Sequence, residues 1–131
     1  KELDRKVEKV LKKVGLEKRA DDKVSTYSLG MKQRLGIAQA LLGDPKIVIL
    51  DEPTNGLDPM GIKMFREIVL RLNEEEKISF FISSHGLLEL DKICNSWVFI
   101  NEGKLIWRGT SEQLKSKSDN VEELFMDMMG T

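Results

Sequence analysis

The stretch Lys46-Ile47-Val48-Ile49-Leu50-Asp51-Glu52-Pro53-Thr54-Asn55-Gly56-Leu57-Asp58-Pro59 decides the fold. Its apolar run, Ile47 to Leu50, is short, rich in β-branched residues and free of polar side chains. Such a run predicts a strand that is buried on both faces, in a parallel sheet covered by helices. Asp51 and Glu52 follow at the carboxyl end of the strand, where open α/β sheets bind their ligands. The alternative is that two acids only end a strand and open a turn.

The length and composition of the chain suit one globular domain. It has 131 residues, of which 40% are hydrophobic and 33% are charged, as in a globular protein with a highly charged surface. No apolar run approaches the length of a membrane span, and no signal-peptide pattern opens the chain. The one cysteine, Cys94, fits a reducing compartment, and we expect it to be a small buried hydrophobic residue rather than a nucleophile.

The net charge of −1 hides an uneven distribution. Residues 1–40 hold eleven Lys or Arg and six Asp or Glu, a balance of +5, whereas residues 41–131 hold ten and sixteen, a balance of −6. Because the basic residues are interleaved with acidic ones, we expect them to form solvated helix faces. A nucleic-acid interface would need a denser basic stripe, so no nucleic-acid partner is expected.

The residues before the strand predict two helices. Lys1 to Val14 carries apolar residues at spacings of three and four, which indicates an amphipathic helix that ends at Gly15. The chain starts inside this helix without a methionine or a capping residue, so we expect it to be part of a longer protein. The second helix is expected to bury one face, formed by Met31, Leu35, Ala38 and Leu42.

The start of the second helix has two interpretations. Ser28 is suited to cap the helix, and Gly30 follows in its first turn. In the structural interpretation these residues only begin a helix, and the residues alone favour it because capped helix starts are common. In the functional interpretation, a serine hydroxyl, backbone N–H groups beside a glycine and a helix N-terminus bind a phosphate together.

The residues after the strand predict a further helix and a second strand. Asp58 can cap that helix, and Pro59 fits its first turn. Its buried face is expected to hold Ile62, Phe65, Val69 and Leu72. Residues 73–77 are expected to form a solvated linker, and Ile78 to Ser83 a second buried strand. His85, the only histidine, therefore follows the carboxyl end of a strand, as the two acids do.

The remaining residues predict a hairpin and two helices. Trp97 to Ile100 and Lys104 to Trp107 are expected to be strands joined by the turn Asn101-Glu102-Gly103. Thr110-Ser111-Glu112-Gln113 has the spacing of a capping box at the start of a short helix. Asp119 to Met129 has the pattern of a last amphipathic helix.

The order and spacing of these features resemble the ATP-binding-cassette (ABC) ATPases. Tyr27-Ser28-Leu29-Gly30-Met31-Lys32-Gln33-Arg34 resembles the signature loop of that family, usually Leu-Ser-Gly-Gly-Gln followed by a Gln-Arg pair. Ile47 to Thr54 resembles the Walker B strand, and Asn55-Gly56-Leu57-Asp58 resembles the D-loop. His85 matches the switch histidine, and the last hairpin, which ends at Thr110, also fits. The resemblance covers nearly the whole chain.

The signature loop departs from the usual family pattern at two positions. Leu29 stands where the first glycine is usual, and Met31 stands where glutamine is usual. Ser28 and Gly30, which carry the phosphate-binding chemistry, remain. This form of the loop resembles that of bacterial exporters of the bacitracin-resistance and lantibiotic-immunity type.

A phosphate-binding Walker A loop, Gly-x-x-x-x-Gly-Lys-Ser/Thr, is absent from the sequence. The nearest match begins at Gly56 but lacks the lysine and hydroxyl, and it falls where a helix should start. The resemblance therefore implies an α/β fold corresponding to the C-terminal part of a P-loop NTPase. Residues 1–44 would be part of the helical subdomain, residues 45–110 the second half of the ATPase core, and residues 111–131 a helical tail.

The resemblance also implies separate roles for the predicted site residues. Asp51 would hold Mg²⁺ through water, Glu52 would be the general base for the attacking water, and His85 would contact the γ-phosphate. Ser28 and Gly30 would bind ATP held by a second nucleotide-binding domain. The implied nucleotide-binding set is Ser28, Gly30, Met31, Asp51 and His85. The D-loop residues expected at the interface with that second domain are Asn55, Gly56, Leu57 and Asp58.

These roles imply an ATPase subunit of a membrane exporter, with ATP and Mg²⁺ bound. The expected partners are a second nucleotide-binding domain and a membrane-spanning permease, which would hold the protein on the cytoplasmic face of the cell membrane. Because the Walker A loop is missing, the 131 residues alone are expected to be inactive. Two alternatives remain open, namely a non-catalytic interaction fragment and an ABC-type ATPase that is not linked to transport.

Overall fold

A computed structural model describes residues 1–130. Contacts divide the chain into two units, of which the first spans Lys1–Ser84 and the second begins at His85. The first unit contains two short 3₁₀ turns and the elements α1 (Glu2–Lys13), α2 (Leu29–Leu41), β1 (Ile47–Asp51), α3 (Pro59–Glu76) and β2 (Ser79–Ser83). The second contains α4 (Leu87–Asp91), β3 (Ser96–Asn101), β4 (Lys104–Thr110), α5 (Ser111–Lys117) and α6 (Val121–Met128). The three-part division expected from the sequence stays a prediction.

The two strands of the first unit pair in parallel, as predicted. Ile47 lies opposite Ser79, and Asp51 lies opposite Ser83. Because α3 connects the two strands, they form a β–α–β unit, which is the connection that parallel neighbours require. The carboxyl ends of both strands therefore meet at one edge of the sheet.

Burial on both faces of the first strand was expected, and this expectation is wrong for the described residues. Val48 is 3% exposed, whereas Ile47 and Ile49 are 64% and 75% exposed. The expectation of a second buried strand is also wrong, because no residue of β2 is fully buried and Phe81 is 58% exposed. Side chains alternate between the two faces of a strand. Residues 1–84 bury the face of Val48 and leave the face of the two isoleucines open.

Helix α3 begins as predicted but ends later. Residues 73–76 continue the helix, so the prediction of a linker is wrong, whereas the predicted exposure of residues 73–77 is confirmed. Lys77 ends it in the left-handed conformation, with φ of 57°. The amide side chain of Asn73 then donates a hydrogen bond of 2.8 Å to the Ile78 carbonyl, which joins the helix end to the next strand. The buried residues are Phe65, Ile68, Val69 and Leu72. Three of them were predicted, whereas Ile68 is an addition and the expected Ile62 is only partly buried.

Helices α1 and α2 also match the predicted positions. Gly15 ends α1 with a φ of 73°, the left-handed conformation that glycine adopts without strain. Helix α2 contacts both α1 and α3. Its buried residues are Met31, Ile37, Ala38 and Leu41. Ile37 and Leu41 therefore take the places predicted for Leu35 and Leu42, because a helix packed between two others buries more than one stripe.

The second unit is organised around the predicted hairpin. Strands β3 and β4 are antiparallel, and Glu102 and Gly103 both have positive φ, at 50° and 74°. Two such residues form the tight type I′ turn, so the turn is shorter than the three residues predicted. The ring of Phe99 lies 5.2 to 6.0 Å from the rings of Trp97, Trp107 and Phe125. These rings form the core of the unit.

Candidate functional site

The starts of helices α2 and α3 line one open pocket of about 330 Å³ in the first unit. Its walls include residues 28–30, in the segment that resembles the signature loop, and residues 56–58, in the segment that resembles the D-loop. The lining residues are Ser28, Leu29, Gly30, Arg34, Gly56, Leu57, Asp58, Met60, Gly61 and Met64. The structure therefore brings together Ser28, Gly30 and three of the four predicted D-loop residues.

Both helix starts are capped by the residue that the sequence predicts. The Oγ of Ser28 accepts a hydrogen bond of 3.2 Å from the backbone N–H of Met31. The Oδ1 of Asp58 accepts one of 2.7 Å from the N–H of Gly61. A hydroxyl oxygen that accepts a cap bond keeps its own proton for donation. Capping and anion binding by Ser28 are thus compatible, and the positive end of the helix dipole favours an anion there.

The 28–31 helix start and the 55–58 turn approach each other closely. A Cβ atom placed on Gly56 would lie 3.0 Å from Cδ2 of Leu29, and one placed on Gly30 would lie 3.9 Å from Cδ2 of Leu57. Gly56 also has a φ of 79°. Leu29, which departs from the usual signature, therefore packs against the glycine of the turn that resembles the D-loop.

Met31 differs from the other predicted nucleotide-binding residues. Its side chain is 9% exposed and does not line the pocket. Its sulfur lies 3.8 Å from a guanidinium nitrogen of Arg19. The thioether fills the core beneath the helix start. A role of Met31 in nucleotide binding stays a prediction.

Arg34 also lines the pocket and ties α2 to α1. Its guanidinium donates a hydrogen bond of 3.1 Å to the backbone carbonyl of Val14, just past the end of α1. Burial lowers the pKa of Arg34, because a charged group loses hydration inside the protein. The sequence marked this residue only as part of the Gln-Arg pair.

The two acids lie at the carboxyl edge of the parallel sheet. Ser83 is directly opposite Asp51, and its hydroxyl donates a hydrogen bond of 2.6 Å to the Asp51 carboxylate. The backbone N–H of Glu52 donates a bond of 2.9 Å to the Ser83 carbonyl. No sequence motif marks Ser83 as a site residue. Aligning the carboxyl ends of the two predicted strands would have placed it beside the acids.

Glu52 has an uncommon backbone conformation. Its φ is 47°, in the left-handed region that residues other than glycine seldom occupy. Its carbonyl accepts a hydrogen bond of 3.2 Å from the N–H of Asn55, which closes the turn that follows. Non-glycine residues held in such conformations are concentrated at functional sites, because the surrounding structure must impose them.

The donor set at Asp51 fits Mg²⁺. Between residues 1 and 130, no group of three or more His, Cys, Asp or Glu side chains converges on one point. Magnesium is commonly held by one or two carboxylates together with water and substrate phosphates, so it does not need such a cluster. The Asp51 carboxylate is exposed at the sheet edge. It still has a second oxygen beside the one that accepts from Ser83.

His85 and Cys94 both lie in the second unit. His85 is exposed, and its carbonyl accepts a hydrogen bond of 3.1 Å from the N–H of Leu87 at the start of α4. The predicted cooperation of His85 with the acids stays a prediction. Burial is the main cause that raises the pKa of the Cys94 thiol, and the nearby Asp91 carboxylate adds a smaller increase. A raised thiol pKa lowers the thiolate fraction. Cys94 is only partly buried, so the expectation of a buried side chain is wrong, and its lack of a nucleophilic role stays a prediction.

Comparison with known proteins agrees with these features. A family model described as ABC transporter matches residues 2–55. The chain is 47% identical over 118 residues to an uncharacterized ABC transporter ATP-binding protein, YhcH of Bacillus subtilis. That alignment covers 90% of the chain and 37% of the relative. The chain belongs to the family of ABC transporter ATP-binding proteins.

Two relatives with named transport roles are equally similar. The chain is 47% identical over 112 residues to the bacitracin transport ATP-binding protein BcrA of Bacillus licheniformis, covering 86% of the chain and 37% of BcrA. It is 48% identical over 116 residues to the lantibiotic transport ATP-binding protein SrtF of Streptococcus pyogenes, covering 88% of the chain and 48% of SrtF. The chain thus spans less than half the length of these relatives.

Solved structures show the same fold. CbiO1 from Clostridium perfringens, part of an ABC transporter complex, matches with a TM-score of 0.80 and 30% identity over 93% of the chain and 49% of cbiO1. The ADP conformation of the ATP-binding cassette MJ1267 matches with a TM-score of 0.84 and 26% identity over 96% of the chain and 50% of the cassette. The chain has the mixed α/β fold of about half an ABC cassette. No helix within residues 1–130 is long and apolar enough to cross a membrane.

Proposed function

We propose that this chain supplies the signature loop, the Walker B acids, the D-loop and the switch histidine of an ATP hydrolase that drives a bacterial membrane exporter. The observation that carries the proposal is the position of Asp51 and Glu52 at the carboxyl edge of a parallel sheet, with Glu52 held in a left-handed conformation. That edge is where α/β sheets of this kind bind ligands. The similarity to BcrA and SrtF favours an exporter as the complex it serves.

The residues divide the work of ATP hydrolysis between them. Asp51 would hold Mg²⁺ through water, and Glu52 would accept a proton from the attacking water. His85 would donate a hydrogen bond to the γ-phosphate. Magnesium, when bound with ATP, supplies positive charge that neutralises the phosphates. The division explains why two adjacent acids are needed, since one serves the metal and the other the water.

The pocket at the helix starts has a separate role in the proposal. Ser28 and Gly30 would bind the γ-phosphate of ATP carried by a second nucleotide-binding domain, through the serine hydroxyl and the N-terminal dipole of α2. The 55–58 turn lies beside them in the pocket and would face the same interface. In the complete complex, a membrane-spanning permease would place the subunit on the cytoplasmic face of the cell membrane.

Replacing the proposed base tests this function. Glu52→Gln keeps the size of the side chain but removes its ability to accept a proton. In the natural full-length protein with its permease, we expect ATP turnover to fall by about 10²- to 10⁴-fold, the usual contribution of a general base. Binding of ATP, measured by calorimetric titration, should be retained, because Glu52 acts on water and not on the nucleotide.

The matched control is Glu67→Gln, which makes the same change at an exposed position on α3. It should leave turnover and ATP binding unchanged. A Glu52→Gln protein that hydrolyses ATP at the rate of the Glu67→Gln protein would contradict the assignment of the base.

The 131 residues by themselves are proposed to be inactive. The sequence contains no Gly-x-x-x-x-Gly-Lys-Ser/Thr loop, whose backbone N–H groups and lysine cradle the phosphates in P-loop NTPases. Asp51, Ser28 and His85 would assist a nucleotide that is already held, but they would not replace the cradle that this loop provides. Catalysis would therefore need the remaining length that relatives such as BcrA possess.

A further inference from the structure

We propose that Ser83 is a positioning residue that fixes the Asp51 carboxylate for the metal and keeps it separate from Glu52. The inference rests on the proposed ATPase function and adds a residue that the sequence motifs do not mark. Ser83 lies at the carboxyl end of β2, directly opposite Asp51 at the end of β1. The two residues share the exposed face and edge of the sheet.

The geometry of the pair orients the carboxylate. The hydroxyl of Ser83 donates its single proton to Oδ1 of Asp51 over 2.6 Å. A carboxylate has two oxygens and about four acceptor positions. With Oδ1 held by the serine, the second oxygen has a defined direction for a metal or a metal-bound water. Partners of this kind orient metal ligands and tune metal affinity in many sites.

Ser83 holds the second acid through a different group. Its carbonyl accepts a hydrogen bond of 2.9 Å from the backbone N–H of Glu52. This bond and the one from the Asn55 N–H, at 3.2 Å, enclose the left-handed residue. One residue of β2 therefore anchors Asp51 with its side chain and Glu52 with its backbone. A substitution of the Ser83 side chain removes the first contact and keeps the second.

This separation gives a specific expectation for Ser83→Ala. Metal affinity should fall, because the Asp51 carboxylate becomes free to rotate, whereas turnover at saturating Mg²⁺ should recover, because Glu52 stays anchored. A merely structural role would not produce this split, since loss of folded protein lowers turnover at every metal concentration.

The variants are chosen to isolate the hydroxyl. Ser83→Thr keeps an O–H donor at the same position and should restore metal affinity. Ser79→Ala removes a hydroxyl from the same face of the same strand, at its other end, where the paired residue is the apolar Ile47. It should behave like the parent protein in every assay.

Metal binding is measured without turnover in the full-length Glu52→Gln protein with ATP present. Free and bound Mn²⁺, used as the probe for Mg²⁺, are distinguished by electron paramagnetic resonance. We expect Ser83→Ala to raise the Mn²⁺ concentration for half-occupancy by about 10- to 100-fold, the range found when partners of metal ligands are removed. Thermal unfolding of each variant confirms that equal amounts of folded protein are compared.

The outcomes separate this inference from the function on which it rests. If Glu52→Gln abolishes turnover but Ser83→Ala binds Mn²⁺ as tightly as Ser79→Ala does, the role of Ser83 is wrong and the ATPase assignment stands. Failure of a folded Ser83→Thr protein to restore Mn²⁺ affinity would also refute it. If the parent protein binds no Mn²⁺ with ATP, both the function and the inference are wrong.

Discussion

Gly56→Ala should destabilise the first unit by an amount that can be worked out from the pocket. The φ of 79° at Gly56 is in the left-handed region, where an L-residue costs about 1–2 kcal/mol. The new Cβ would lie 3.0 Å from Cδ2 of Leu29, and such crowding costs about 1 kcal/mol when the neighbour can shift. Alanine also reduces the freedom of the unfolded chain, which returns about 0.4–1 kcal/mol. The net loss should be about 2 kcal/mol.

A second substitution separates the two causes. Leu29→Ala removes the crowded atom but leaves the backbone strain, so the double variant should recover about 1 kcal/mol relative to the sum of the single changes. Gly36→Ala is the matched control. Gly36 lies within α2 and has no neighbouring atom within 4 Å of an added Cβ. Alanine should therefore stabilise the helix there, by about 0.5–1 kcal/mol.

Urea unfolding of the natural full-length protein measures these free energies. Both tryptophans of this chain, Trp97 and Trp107, lie in the second unit, so their fluorescence would not report directly on the first. Far-ultraviolet circular dichroism is therefore the suitable signal. Equal stability of the Gly56→Ala and Gly36→Ala proteins would contradict the backbone assignment. Additive effects of Gly56→Ala and Leu29→Ala would show that the contact between the two segments carries no energy.

Two further predictions concern the hairpin and the missing phosphate loop. A Cβ on Gly109 would lie 2.6 Å from the Trp107 ring and 2.6 Å from Oε1 of Gln113, so Gly109→Ala should lower the free energy of unfolding by about 1–3 kcal/mol. The control Gly103→Ser lies in the open turn and should keep the hairpin packing, losing only the energy of the turn. Equal loss of tryptophan burial in both variants would argue against the clash. The 131 residues alone, titrated calorimetrically with ATP and Mg²⁺, should give no measurable heat of binding, and tight Mg²⁺-dependent binding would refute the need for a Walker A loop.

Local chemistry was the part of the fold most open to prediction. Ser28, Asp58 and Thr110 were each expected to cap a helix, and each accepts the expected backbone N–H. The reciprocal bond from the Thr110 N–H to the Gln113 side chain completes the predicted capping box. A cap depends on residues within one turn of it, so the sequence contains all the information that decides it.

The wrong expectations concern features that depend on more distant residues. Residues 73–76 contain no hydrophobic side chain to indicate helix, yet they continue α3 because Lys77, and not an earlier residue, takes the left-handed conformation. Lysine seldom does so, and no residue type near the helix end marked the position. The exposure of Ile49 likewise cannot be predicted from an apolar run. Such a run shows that its side chains favour burial, but it does not show which residues cover them.

The candidate site combines both kinds of information. Adjacent acids were predicted to have separate roles, but successive side chains of a regular strand point to opposite faces. The left-handed φ of Glu52 interrupts that alternation immediately after Asp51 ends the strand. The pairing of β1 with β2 helps to hold this interruption, because the carbonyl of Ser83 accepts from the Glu52 N–H and the hydroxyl of Ser83 donates to the Asp51 carboxylate. The proposed separation of metal-binding and water-activating roles would therefore depend on strand register. A shift of β2 by one residue would remove both contacts of Ser83, although every motif in the sequence remained.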